Sequence, residues 1–384
     1  MLTDISGEMV NSVLPVYLVL HLHLGPLQYG AIDGVYNGVA VALLGLAGGL
    51  IADRRRRHKE VAAAGYGISA ACKLLLLAAG GAWGWITAVV AADRLGKGVR
   101  TAPRDALISL SSERQSMAAS FAVHRTLDAG GSLLGPIVAF SLLAWLPGAY
   151  DAIWVTSFVF GILGLAVLYL FVESPKRADV SNVELAPPRM VIGLLQTRRL
   201  RGLVGAGMLL SAVTISDGFL YLLITDRSDV GAGFFPLFYV ITASTYMLFS
   251  IPVGRLADRW GRKLVFLFGY LIVLMNSAIL LSFDTLGTGV WLLCLVLLGL
   301  HYAATEGVLM AMVSRSTPSE MRTTAIAMAI TFIGLAKMAS SLAFGFLWEV
   351  GSLNMAVAIF AAGVGLALPA SAFWLGGSQG EEND

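Results

Sequence analysis

Charge is what this chain has least of. Asp, Glu, Lys and Arg make up only 13% of its 384 residues, about half the ~25% of an ordinary soluble domain. So few charges cannot cover a water-exposed surface of this size, and a disordered chain, which needs polarity, is excluded with it. Cysteine is nearly absent. Cys72 and Cys294 both lie inside apolar runs, which speaks against a disulfide framework or a thiolate metal centre. The chain holds no G-x-x-x-x-G-K-[ST] phosphate loop and no H-E-x-x-H zinc motif. No metal, no cofactor and no enzyme activity are therefore expected. The arginine runs are short, interrupted and set at the ends of apolar stretches, so nucleic acid is not an expected partner.

Hydrophobic residues are plentiful at 57%, and 43 of the 384 residues are glycine, about 11% against a usual ~7%. Lipid is the solvent that suits this balance, and glycine is what lets helices in lipid approach closely. A bilayer core of about 30 Å takes about 20 helical residues, and twelve apolar stretches reach that length. They are 2–22, 31–52, 60–80, 84–108, 116–145, 150–172, 200–225, 232–256, 263–283, 288–313, 322–348 and 352–375. Continuous runs of this kind favour helices over barrel strands, which alternate over about ten residues. The first run carries Asp4 and Glu8 and no basic leader, so it reads as a spanning helix.

One long polar segment, residues 173–201 with Pro175, Pro187 and Pro188, divides the spans six and six. The expected organisation is an N-terminal six-helix bundle over 1–175, a cytoplasmic linker over 176–199 and a C-terminal bundle over 200–384. Of 26 Lys and Arg, 20 fall in the even-numbered loops and one, Arg227, in the odd ones. The positive-inside rule then places both termini and the linker in the cytoplasm of a cell-membrane protein.

The halves also repeat. Gly254-Arg-Leu-Ala-Asp258-Arg259-Trp-Gly261-Arg262-Lys263 joins spans eight and nine, and Gly49-Leu-Ile-Ala-Asp53, continuing through Arg57 to Lys59, joins spans two and three 205 residues earlier. Duplicated halves in a polytopic chain mark a secondary transporter with its substrate site between the halves. Each glycine would let helix ends approach, and each aspartate would latch neighbouring arginines.

On these residues the chain resembles the major facilitator superfamily over essentially its whole length. The second copy matches the family's loop motif G-x-x-x-D-R-x-G-R-K fully, while the first has Arg56 in place of the second glycine. Arg94 to Gly98 match a motif of span four. Gly131, Gly135 and Pro136 match the G-x-x-x-G-P motif of span five, without its trailing glycine pair. The stretch Asp93–Ile108 and His124–Asp128 resemble a bacterial subgroup of this superfamily. The resemblance implies twelve helices in two six-helix bundles related by a pseudo-two-fold axis, a cavity lined by spans one, four, seven and ten, and, from the span-five motif, an antiporter that exports its substrate.

Ionisable groups within spans are costly in lipid and mark function unless they are paired structural charges. Glu8 on span one, Asp128 on span five and Glu306 on span ten are the proton-coupling candidates. Arg94, Lys97, Arg125 and Asp217 are the candidates for substrate contact or charge pairing. Asp93 and Lys97 are spaced to pair within one helix, Arg125 and His124 both flank Asp128, and Arg100 and Arg104 read as anchors or latches near the cytoplasmic end. Lys73 and Lys337 could extend to an interface along their aliphatic stems. Pro15 should loosen span one near the midplane. The expected function is proton-coupled export of a small organic solute, powered by the proton gradient, by a monomer in the lipid bilayer. A proton-coupled importer of a nutrient or organic anion is the alternative, and a non-transporting membrane enzyme or scaffold is the alternative of another class.

Overall fold

The computed structural model describes residues 1–38, 57–112, 117–172, 197–318 and 321–376. Among these residues the regular structure is helical throughout, the arrangement that satisfies backbone polar groups within each segment in lipid. In chain order the helices are α1 (Leu2–Val16), α2 (Pro26–Gly38), α3 (His58–Leu77), α4 (Trp83–Ser111), α5 (Met117–Trp145) and α6 (Tyr150–Phe171). They continue as α7 (Arg198–Ala212), α8 (Asp217–Asp226), α9 (Phe235–Trp260), α10 (Arg262–Ser282), α11 (Thr288–Arg315), α12 (Arg322–Val350) and α13 (Leu353–Gly376). With α7 and α8 counted as one broken span, these are the twelve expected spans. Nine of the described segments are long and apolar enough to cross a membrane on composition alone. The other three have identifiable reasons to fall short: α1 carries Asp4 and Glu8, α4 carries six charges between Asp93 and Asp105, and α2 is described only to Gly38.

Local chemistry sets the irregular points. Directly after Pro15, the chain from Tyr17 to His21 takes a π-helical turn, closed by the Leu22 N–H donating to the Tyr17 carbonyl at 2.9 Å. Such turns cluster at functional sites. The seventh span is interrupted at residues 213–216, a break that its apolar composition conceals. Ser216 takes the N-cap position with extended backbone, and Asp217 opens α8, where a carboxylate suits the positive end of the helix dipole. The freed Thr214 carbonyl accepts from Ser340 Oγ of α12 at 2.5 Å, which satisfies a group that the break would otherwise orphan.

The chain forms two compact units. The first comprises Met1–Leu24, Val39–Val183 and Gly231–Val240. Its described helices are α1 and α3–α6, and an aromatic cluster of Tyr17, Tyr150 and Trp154, with ring centroids 5.1 and 5.2 Å from Tyr17, ties the π-helical turn that follows α1 to α6. The second comprises Gly25–Gly38, Glu184–Val230 and Ile241–Asp384. Its apolar core gathers Leu203, Phe266, Val308 and Ala329 from α7, α10, α11 and α12, and α2 packs along α12.

Candidate functional site

In the first unit, α1 and α5 meet through the span-five motif. A Cβ on Gly131 would lie 2.8 Å from Asp4 Cβ, and one on Gly135 would lie 2.8 Å from the Ile5 carbonyl oxygen and 2.9 Å from Glu8 Cβ. These glycines therefore press on the face of α1 that carries both acids. Pro136 follows within α5. Glu8 is half-buried and accepts from Asn11 Nδ2 at 2.9 Å.

Asp128 lies one turn before Gly131 on α5. Its carboxylate is 3.1 Å from His124 Nε2 and 3.9 Å from an Arg104 guanidinium nitrogen. The arginine that reaches it is therefore Arg104 from α4; Arg125, three residues away on the same helix, is exposed. Arg104 also pairs with its neighbour Asp105 at 3.0 Å, so it bridges two carboxylates where the sequence suggested only a latch.

The expected pairing of Asp93 with Lys97 does not form. Lys73 of α3 takes one oxygen of the buried Asp93 carboxylate, and Arg94 takes the other at 2.6 Å. The cause is helix packing. Gly65 of α3 and Gly96 of α4 face each other so closely that a Cβ on either would lie within 2.8 Å of the other's carbonyl oxygen. That contact draws the Lys73 side chain onto α4, so Lys73 is 3% exposed and paired and does not reach for an interface. Arg94 is buried in the same ion-paired group. A charged cavity lies beside it, lined among others by Asp4, Glu8, Tyr66, Arg94, Lys97 and Arg100.

The second unit holds a second polar group, and its most buried carboxylate was missed in the sequence. Asp33 of α2 is 9% exposed. It accepts from Ser341 Oγ of α12 at 2.5 Å, Asn37 Nδ2 at 3.1 Å and Tyr29 Oη at 3.4 Å. An Asp within an apolar span, with Tyr and Asn four residues to either side on the same face, was the available signal. Asp217, at the start of α8, accepts from the Tyr302 hydroxyl of α11. Lys337 Nζ lies 5.8 Å from the centre of the Tyr302 ring, so this lysine faces an aromatic partner inside the unit. Glu306, one turn beyond Tyr302, is exposed.

In the loop motif, Arg262 donates to Asp258 Oδ1 through Nε at 3.0 Å and Nη2 at 2.6 Å. Gly261 between α9 and α10 has φ +99°, a conformation that side-chain-bearing residues rarely adopt. Gly254 does not serve the close approach expected of it, since a Cβ there would meet nothing within 4 Å. Arg259 closes the last turn of α9. Of the first copy, Arg57 occupies the N-cap position of α3 without a side-chain capping hydrogen bond, and Gly49 and Asp53 lie outside the described residues, as does most of the expected linker.

A model of the Major Facilitator Superfamily matches residues 1–336 and again 214–383. An uncharacterised MFS-type transporter of Methanocaldococcus jannaschii is 32% identical over 359 residues, covering 91% of this chain and 86% of that protein. An uncharacterised protein of Mycobacterium tuberculosis is 26% identical over 372 residues, covering 94% of this chain and 87% of its own length. Among solved structures, a nucleoside transporter superposes with a TM-score of 0.82 at 15% identity, with 97% of each chain covered. A POT family transporter in complex with 5-aminolevulinic acid gives 0.74 at 15% identity, over 97% of this chain and 93% of that one.

Proposed function

Because the chain belongs to the major facilitator superfamily of membrane transporters, we propose that it is a proton-coupled antiporter that exports a small organic solute by alternating access. Two six-helix bundles, 1–175 and 200–384, rock about a central substrate site, with both termini and the linker on the cytoplasmic face of the cell membrane. The observation that carries this reading is the seating of Gly131 and Gly135 against the Asp4–Glu8 face of α1. A glycine surface without side chains lets α5 shift along α1. Any such shift changes the surroundings of Glu8 and of Asp128, one turn from Gly131. That links helix movement to the protonation of carboxylates, which is what exchange of a proton for a solute needs. Glu306 and Asp217 supply carboxylates in the other unit, and Arg104 with His124 tunes Asp128.

Asp128→Asn tests the assignment. With the protein reconstituted in liposomes, the variant should keep solute counterflow, which needs no proton movement, and lose uphill transport driven by a pH gradient by tenfold or more. Full gradient-driven transport in the variant removes Asp128 from the coupling path. A proton-coupled importer gives the opposite response to the sign of the gradient.

A further inference from the structure

The cavity between α1, α3, α4 and α6 carries more positive charge than its own carboxylates balance. Its lining holds four cations, Lys73, Arg94, Lys97 and Arg100, and three carboxylates, Asp4, Glu8 and Asp93. Asp93 is fully engaged by Lys73 and Arg94. Among the described residues no carboxylate lies within ion-pair distance of Lys97 or Arg100. Arg100 is only 5% exposed, and its Nε has no hydrogen-bond partner. The guanidinium lies over the Tyr66 ring at 4.4 Å, a contact that supports a cation without neutralising it. Asp4 acts on Arg100, and Glu8 and Asp4 on Lys97, only from beyond ion-pair distance; a buried cation without a direct counter-charge is costly, and here the surplus faces an open space.

We propose that this cavity is a binding site for one small monovalent anion of the halide or nitrate class, held between Arg100 and Lys97. The class follows from charge and size. Outside the Lys73–Asp93–Arg94 group and the pair of Asp4 with the Met1 ammonium at 2.9 Å, the lining leaves Lys97 and Arg100 against Glu8, a surplus of one positive charge that one monovalent anion cancels. The free space takes one or two water-sized bodies, too little for an organic solute. Guanidinium over an aromatic ring is weakly hydrated and suits weakly hydrated anions. The site lies within one unit and is separate from the exported solute; its occupancy would hold α1, α3 and α4 together. Because the inference concerns binding alone, it can fail while the transport reading stands.

The test is thermal unfolding of the purified full-length chain in detergent, with sodium chloride, bromide or nitrate replacing sodium gluconate at constant ionic strength. A ligand that binds only the folded state raises the melting temperature with a saturable dependence on concentration. Chloride, bromide and nitrate should each give that saturable rise, and sulfate should give none. In Arg100→Gln the half-saturating concentration should increase tenfold or more, and in Lys97→Gln similarly, while exposed Arg315→Gln should match the wild type. A melting temperature indifferent to anion identity, or the same saturable rise in both cavity variants, overturns the proposal. Should Arg100→Gln fail to fold, the wild-type anion series and Lys97→Gln decide it.

Discussion

At the scale of single residues, the charges in the spans fall into two kinds. Asp93 is structural. It is 8% exposed and shared by Lys73 and Arg94, themselves 3% and 6% exposed. Removing one partner of a buried ion pair costs about 3–5 kcal/mol, because the other charge stays buried without compensation. Asp93→Asn should therefore lower stability in detergent by about that much, read from the unfolding midpoint; a loss below roughly 1 kcal/mol, the ordinary effect of a point substitution, would mean that the triad contributes little. Glu8 and Asp128 are of the other kind: half-buried and without the short, buried ion pairs that hold Asp93, the neighbours of Asp128 being His124 at 3.1 Å and Arg104 at 3.9 Å. The sequence marked most of these groups as costly in lipid and set His124 against Asp128, a pair that forms, but it missed the partners that come from other helices. Spacing along one helix suggested Asp93 with Lys97 and placed Arg125 among the groups around Asp128. Beside the same-helix partners Arg94 and His124, the partners Lys73 and Arg104 come from neighbouring helices, and no periodicity within a single helix reports on those. Asp33 escaped notice for a related reason. Its donors include Ser341, 308 residues away, and a lone carboxylate in an apolar run gives no hint of that.

At the scale of helices, the sequence was far more informative. Apolar length placed the described spans within a few residues of where they lie, because in lipid one requirement, a fully hydrogen-bonded apolar stretch about 30 Å long, dominates all others. Pro15 correctly announced a disturbance in the first span, which took the form of a π-turn. The break at residues 213–216 stayed hidden because its residues are apolar or hydroxylated and the window average crosses it unchanged; Ser216-Asp217-Gly218 was a helix-start signal inside a span already assigned as continuous. Glycine roles also separate at this scale. A methyl group on Gly135 would meet the Ile5 carbonyl, which is backbone and cannot move aside, whereas one on Gly254 would enter open space. Gly135→Ala should destabilise by about 1–3 kcal/mol through overpacking and slow transport, whereas Gly254→Ala should unfold at the wild-type midpoint. Equal behaviour of the two variants would show that the α1–α5 contact is not tight in the working protein.

At the scale of the whole molecule, duplication and composition carry the functional argument. A lipid-solvated chain with a repeated loop motif and carboxylates inside its spans has the parts of a secondary transporter, and its family membership agrees. Substrate identity is not written at this level, since fold and repeat are shared by proteins with unrelated cargo. Direction and coupling are what one gradient experiment resolves. The protein is reconstituted in liposomes with an acidic lumen and diluted into neutral buffer, and uptake of a panel of small organic solutes is followed with and without a protonophore. Antiport predicts that at least one solute is concentrated in the acidic lumen as protons leave, that the protonophore abolishes this, and that reversing the gradient does not concentrate it. Solute accumulation that requires acid outside, or that ignores the gradient altogether, would contradict the account.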